Sequence, residues 1–206
     1  MYQPKAHKRN DKGFIFKFIK QHPFAVFVIS DKDLLATHIP ILIDGDESHF
    51  RLFGHIANHN EMLPFLKDGK KALCIFHGAH TYVSSSIYTK PDISTWDYSA
   101  VHVNVKMIIQ SDEELTASLE RLICVFEKQQ EHPLYKEQIP KEIWQEDFSN
   151  ITGFWMEPIR IQGIHKWHGN FEKEERHHIA QQLSQKNLCP NFSTEEIIKN
   201  FYDSQD

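Results

Sequence analysis

Short apolar runs separated by turn residues dominate the first half of the chain. Residues 24–30 form a continuous apolar run of strand length, and the SDKD segment that follows has the composition of a hairpin turn. A returning strand is predicted over 34–43, where Pro40 indicates an edge or a bulge, and Asp44–Gly45 is a second hairpin signal. Further strands are predicted over residues 49–55, 71–76, 101–109 and 153–164. Consecutive strands joined by hairpins favour an antiparallel barrel over a Rossmann sheet.

Helical spacing is found in fewer places, mostly late in the chain. Asp11 is the predicted N-cap of a first helix that Pro23 ends, and Ser111 with Glu114 forms a capping box for an amphipathic second helix. Shorter helices are predicted over 58–67, around Trp144, over 171–185 and after Ser193. The pattern therefore predicts a mainly β protein with peripheral helices (α+β).

Length and composition place few further limits on this picture. We expect a single domain over residues 1–206, with a helical C-terminal appendage from about residue 171 to 206. No apolar run approaches the roughly 20 residues that cross a bilayer, and the N-terminus lacks the features of a signal peptide. Cys74, Cys124 and Cys189 are far apart and form no CxxC pair. Such cysteine usage is typical of a reducing compartment, and we expect a cytoplasmic protein that does not contact a membrane.

The charge balance bears on two classes of partner. The net charge is −5 with His neutral, whereas proteins that bind nucleic acid usually carry a basic surface, so the sequence argues against direct DNA binding. The 14 His residues are scattered, without HExxH or a comparable ligand spacing. Scattered His residues on strands are usually solvated or hydrogen-bonded, and we therefore expect no metal site.

Residues 74–103, CIFHGAHTYVSSSIYTKPDISTWDYSAVHV, have the composition of a ligand site. Aromatic rings with polar tips alternate there with short hydroxyl side chains. Such rings pack on the face of a planar ligand, and hydroxyl groups hydrogen-bond its edge or a phosphate. We expect the functional site to include this stretch.

The same stretch carries a family resemblance. IFHGAHTYVSSSIY and TWDYSAVHV resemble the signature of the PaiB family of FMN-binding negative transcriptional regulators, which reads IFQGPHAYISPSWY and PTWNYVAVHV. Further similar segments follow in order along the chain: MYQPK, HPFA, ATHIPILID, GHIANHN and GFWMEPIRIQGIHKW. The resemblance extends from residue 1 to about residue 183.

The resemblance implies a fold, a cofactor and an assembly. It implies the antiparallel FMN-binding split β-barrel, FMN as the cofactor, and a homodimer with a flavin in each of two clefts between subunits. The implied function is negative regulation of transcription, although no helix-turn-helix signal is visible. A flavin-dependent oxidoreductase and a haem-handling protein of the same fold are the alternatives, since a fold does not determine a function. No nucleophile–base arrangement stands out, so any chemistry would belong to the cofactor.

The segment GHIANHN is the predicted phosphate contact. It follows a strand and enters a predicted helix, where free backbone N–H groups can bind an anion. His55, Asn58 and Asn60 are its side-chain donors. The family reads GHLARANP, so Asn58 stands where the family has a permanently charged Arg. The alternative role for this Asn is that of a helix cap.

The remaining predicted cofactor contacts come from four places, of which Lys166 is the last along the chain. Thr37 and His38 lie in the returning strand, and Ser84 lies in the hydroxyl-rich segment. Trp96 and Tyr98 alternate along a strand and so point to one face, where they either stack on the flavin ring or fill the barrel or dimer core.

The last predicted contact, Lys166, matches the family pattern, but two other residues depart from that pattern. The family reads GKWKLSQN where this chain reads GIHKWHGN, so Lys166 is kept in register while a Ser becomes His168. The family's Asn in TWNY is Asp97 here. We expect altered cofactor binding at the C-terminal segment, where His165 and His168 could add a response to pH.

Overall fold

The computed structural model describes residues 1–184 and 193–203. The strands of this part are β1 Phe24–Ser30, β2 Leu34–Pro40, β3 Leu42–Gly45, β4 Phe50–Ala57, β5 Lys71–Val83, β6 Thr95–Ile109 and β7 Ile151–Lys166. The helices are α1 Lys12–Gln21, α2 Asp112–Glu127, α3 Lys141–Ser149, α4 Lys173–Ser184 and α5 Thr194–Asp203. The strands form one antiparallel sheet in the order β2-β1-β5-β6-β7-β4-β3. The predicted class, mainly β with peripheral helices, is confirmed.

The sheet begins as predicted and then departs in detail. β1 has the predicted bounds and pairs with β2, with Phe24 opposite Pro40. The strand predicted over 34–43 is divided at Ile41, whose N–H donates to the carbonyl of Pro23 (2.7 Å) instead of to a neighbouring strand. The second hairpin turns after Gly45, at Asp46, whose carboxylate accepts from the N–H groups of Ser48 and His49.

Two central strands are longer than their apolar runs. β5 continues through the polar residues to Val83, and β6 starts at Thr95. On β6 the predicted alternation is confirmed, because the side chains of every second residue are buried: Val101, Val103, Val105 and Met107. The polar composition of residues 77–83 hid strand structure, because only one side of this strand is buried.

The helix predicted over 58–67 is wrong. This segment forms turns and a single 3₁₀ turn, Leu63–Phe65, with Pro64 at its start. The side-chain Oδ1 of Asn60 accepts from the N–H of Met62 (2.9 Å), a local bond that competes with helix formation. Pro64 has no N–H to continue an α-helix.

The capped helices agree with the sequence. Asp11 accepts from the N–H of Phe14 (2.9 Å) at the start of α1. Ser111 and Glu114 form the predicted capping box at α2, and the Oγ of Ser193 accepts from the N–H of Glu196 (3.1 Å) at α5. Gln185, the predicted end of the fourth helix, and Cys189 lie outside the described residues.

The chain divides into two compact units, and unit 2 comprises residues 19–75 and 103–160. Its sheet packs β1 against β7 through Phe27 and Phe154, whose ring centroids are 5.2 Å apart. A second cluster joins Leu42, Phe53 and Trp155 to the apolar side of α2.

Unit 1 comprises residues 1–18, 76–102 and 161–206. Its core surrounds Trp167, which is fully buried, and includes Ala79, Val83 and Ile87 from the signature stretch. Helices α4 and α5 supply the rest of this core: Ile179, Ala180, Leu183, Ile197 and Phe201. The described part of the C-terminal segment therefore shares a hydrophobic core with the signature stretch.

None of the helices within residues 1–184 and 193–203 has the length and apolar character to span a membrane.

Candidate functional site

An exposed row of rings lies on one face of β5 and β6 in unit 1. We call it the aromatic surface; its members are His77, His80, Tyr82, Trp96 and Tyr98. Neighbouring rings are close: centroids are 4.8 Å apart for His77 and His80 and 6.0 Å apart for Tyr82 and Trp96. Trp96 is 56% exposed and Tyr82 47% exposed, so these rings present their faces to solvent.

A change of phase in β5 makes this surface possible. Alternate residues are buried as far as Phe76, but Gly78 and Ala79 are both buried before the alternation resumes. One extra residue of this kind is typical of a β-bulge. In a regular strand, residues three apart point to opposite faces, and the extra residue instead brings His77 and His80 to the same face.

Two members of the aromatic surface, His77 and Tyr98, have pKa values shifted towards their neutral forms. Burial lowers the pKa of His77, and the neighbouring His80 lowers it further. Burial also raises the pKa of the Tyr98 phenol. A row of partly exposed rings suits the face of a planar aromatic ligand, which gains from ring stacking.

Polar groups border this surface at Lys166, near the end of β7. The Nζ of Lys166 donates to the carbonyl of Trp96 (2.6 Å) and to the hydroxyl of Thr95. Ser84 uses its Oγ to accept from the N–H of Ser86 (3.2 Å) at the start of a 3₁₀ turn. Four of the nine predicted contact residues therefore lie in unit 1: Trp96 and Tyr98 on the aromatic surface, Lys166 at the carbonyl of Trp96, and Ser84 in the segment that follows β5.

The other five predicted residues lie in unit 2. Thr37 and His38 are neighbours on β2, and the exposed His38 ring stacks on Phe24 with centroids 5.9 Å apart. His55 is on β4, where burial lowers its pKa. They have no charged partner that would mark a phosphate site in the described part of this unit.

The structure gives Asn58 another role than the predicted one. Its Nδ2 donates to the carbonyl of Ser149 (3.0 Å), its Oδ1 accepts from Thr152 (2.6 Å), and its N–H donates to Asn150 (2.7 Å). The N–H of Asn60 donates to Ala57 (2.9 Å). No α-helix begins here, so the helix N-terminus on which the phosphate prediction rested does not form.

Sequence reasoning missed a buried polar group behind the aromatic surface, on the opposite face of β6. Asp97 is fully buried, and its Oδ2 makes a short hydrogen bond with Nδ1 of His168. The Nε2 of His168 lies 2.7 Å from the hydroxyl of Tyr88. Asp97 and His168 are both departures from the family pattern, and they contact each other. Treating the two changes as a compensating pair could have revealed this group.

A known protein family matches the larger part of the chain. The family described as "Putative FMN-binding domain" matches residues 1–160, which include the whole signature stretch. The chain belongs to this FMN-binding family. The resemblance to the PaiB family is confirmed, because the chain is also 27% identical over 184 residues to the Protease synthase and sporulation protein PAI 2 of Bacillus subtilis. That alignment covers 89% of each chain.

Solved structures share the fold. The FAD and Heme binding protein of Mycobacterium smegmatis has a TM-score of 0.57 at 12% identity, covering 76% of this chain and 72% of that one. The flavocytochrome Anf3 of Azotobacter vinelandii has a TM-score of 0.56 at 8% identity, covering 76% and 68%. At these identities the likeness concerns the fold, and the predicted split barrel is consistent with it.

The residues of the aromatic surface fit the isoalloxazine ring of FMN. FMN is the cofactor that the family supports. The aromatic surface offers partly exposed aromatic rings to an isoalloxazine ring, and Lys166 is the cation among the predicted contacts. The side chain of Asn58, which stands where the family has Arg, is hydrogen-bonded to Ser149 and Thr152 within unit 2.

Proposed function

We propose that this protein binds FMN with the isoalloxazine ring stacked on the aromatic surface, and that Trp96 is the main ring contact. The observation that carries the proposal is the exposure of Trp96 and Tyr82, whose ring centroids are 6.0 Å apart. Large exposed aromatic side chains in a row are unusual on a protein surface and mark a site of binding. FMN brings the planar ring that this row accommodates.

The test compares two exposed aromatic residues of unit 1. Trp96→Ala removes a ring of the aromatic surface, whereas Tyr202→Ala removes a ring of similar exposure (53%) on α5. A lost aromatic stack is worth about 1 kcal/mol, so Trp96→Ala should weaken FMN binding roughly fivefold. Tyr202→Ala should leave the affinity unchanged. The affinities are measured by quenching of flavin fluorescence.

Riboflavin provides a second arm of this experiment. Riboflavin has the isoalloxazine ring but lacks the phosphate. Trp96→Ala should therefore lower the affinities for riboflavin and for FMN by the same factor. The isoalloxazine ring does not lie on this surface if Trp96→Ala binds FMN with the affinity of the parent protein. The same holds if Tyr202→Ala lowers the affinity for FMN as much as Trp96→Ala does. An absorption spectrum of the purified protein separates flavin bands from the Soret band of a haem-handling protein.

We propose further that the protein is a homodimer and that its role in transcription is negative and indirect. The family resemblance supports the regulatory role, and the net charge of −5 speaks against operator binding. Light scattering should give twice the chain mass. A gel shift at physiological salt should show at most weak binding that does not depend on sequence. Sequence-specific binding at nanomolar concentration would contradict the indirect role.

A further inference from the structure

A cavity of about 290 Å³ lies in unit 1, on the buried side of β6. Its lining comes from the N-terminal segment, the segment before β6, β6 itself, and the end of β7 with the residues that follow it. Among the lining residues are His7, Asp97, Lys166, His168 and Phe171. The volume is near the lower end of the range found for small-molecule sites. We call it the Asp97 cavity. The aromatic surface is on the other face of the same strand.

Asp97 is held firmly at the wall of this cavity. Its Oδ2 is occupied by Nδ1 of His168, whose Nε2 is in turn 2.7 Å from the Tyr88 hydroxyl. His168 has a φ of 54°, a left-handed conformation that side chains other than glycine rarely adopt. The surrounding structure must stabilise such a conformation, and residues held in this way cluster at functional sites.

The second oxygen of Asp97 lacks a partner. Among the described residues, none donates a hydrogen bond to Oδ1 of Asp97, although this side chain is fully buried. The nearest cation is Nζ of Lys166 at 4.0 Å, which is too long for a hydrogen bond. Nδ1 of His7 is also buried without a hydrogen-bond partner in the described chain. Buried polar atoms are nearly always paired, so these orphaned atoms indicate a missing molecule.

The charges select the chemistry of that molecule. A cationic ligand would lie against Lys166, and an anionic ligand would lie against Asp97. A neutral group with a donor and an acceptor side by side satisfies both when it faces these two atoms, which are 4.0 Å apart. An N–H next to a C=O is such a group. Burial raises the pKa of Asp97 despite the favourable contacts with His168 and Lys166, so an N–H donor to Oδ1 would further stabilise the carboxylate.

We propose that the Asp97 cavity binds a small neutral ligand through an amide or imide edge, separately from the flavin. The ligand N–H donates to Oδ1 of Asp97, its carbonyl accepts from Nζ of Lys166, and Phe171 supplies an apolar wall. The site depends on the Asp97–His168 pair. Its lining residues Lys166, His168 and Phe171 lie beyond residue 160, where the match to the FMN-binding family ends.

Succinimide and N-methylsuccinimide are the test ligands, because they differ only at the N–H. Ligand-detected NMR titration of the full-length protein should show that succinimide binds and that the N-methyl compound binds roughly tenfold more weakly, since a hydrogen bond to a charged group is lost. Asp97→Asn keeps an oxygen for His168 and turns an N–H₂ toward the cavity. This variant should lose the preference for succinimide, because its N–H₂ finds no acceptor at the imide N–H or at the N-methyl group. Asp92→Asn, the same change at the exposed mouth of the cavity, should keep the original preference.

A second variant guards against misfolding of Asp97→Asn. Lys166→Met removes the hydrogen-bond donor to the ligand carbonyl. It should lower the affinities for both imides by the same factor, roughly tenfold. Equal affinities for the two imides in the parent protein, or no binding of succinimide, would overturn the proposal. Displacement of succinimide by FMN would also overturn it, because the cavity would then belong to the flavin site. Failure of the aromatic surface to bind FMN leaves these outcomes unaffected.

Discussion

His165 should make the stability of the protein depend strongly on pH below neutrality. Its side chain is 8% exposed, and its Nδ1 is 2.8 Å from the hydroxyl of the buried Ser99. Burial lowers its pKa from 6.5 to about 4, and the nearby Arg9 guanidinium acts in the same direction. The unfolded chain therefore takes up a proton near pH 6.5, while the folded chain does so only near pH 4.

The sign and size of the effect follow from proton linkage. Between pH 6.5 and 4 the unfolded state binds the proton and the folded state does not, so the free energy of unfolding falls as the pH decreases. The contribution of His165 is about 3 kcal/mol over the whole window, of which about 2 kcal/mol is lost between pH 7 and pH 5. Other imidazoles with lowered pKa values add to the slope in the same direction: His7, His55, His77 and His102.

A variant isolates the share of His165. Asn at this position keeps an atom near Nδ1 for Ser99 but does not titrate, so His165→Asn lowers the overall stability and flattens its pH dependence. Urea unfolding at pH 7 and pH 5 should give a smaller difference than in the parent protein, by about 2 kcal/mol. His132→Asn is the matched control, because that side chain is 92% exposed. If His165→Asn keeps the parent slope, His165 is protonated in the folded protein and the reasoning fails.

Two further predictions concern the stability of the fold. Ser111→Ala removes the capping box of α2 and should lower the free energy of unfolding by about 1 kcal/mol in urea titrations; no change would mean that Glu114 alone holds the helix start. Gly163→Ala should cost about 2–3 kcal/mol, because the new Cβ would collide with the carbonyl of Arg9 and approach Cδ1 of Ile15 to 2.8 Å. Gly169→Ala, with its nearest atom at 3.1 Å, should cost clearly less in thermal unfolding, and equal losses would refute the collision.

Local patterns sufficed to predict the strands and the capped helices. Alternation along 101–107 and the capping box at Ser111 each reflect an interaction between residues close in sequence, so the sequence displays them directly. The predicted helix over 58–67 failed because Asn60 and Pro64 favour turns, and the apolar spacing did not outweigh them.

The candidate site could be predicted only in part. The rings of Trp96 and Tyr98 follow from strand alternation, and the structure places them on one face. The contact between Asp97 and His168 joins residues 71 positions apart. It requires β6 and β7 to be neighbours in the sheet, and no periodicity along the chain gives that order.

The phase change at Gly78–Ala79 also bears on how this strand can vary in evolution. Removing one residue there would restore strict alternation and leave every ring of the aromatic surface on its present face. Removing a residue anywhere else in β5 would exchange the two faces on one side of the deletion and bury polar rings. A one-residue deletion that relatives can accept within this strand is therefore confined to this position, and alignments of the signature should place their gap there.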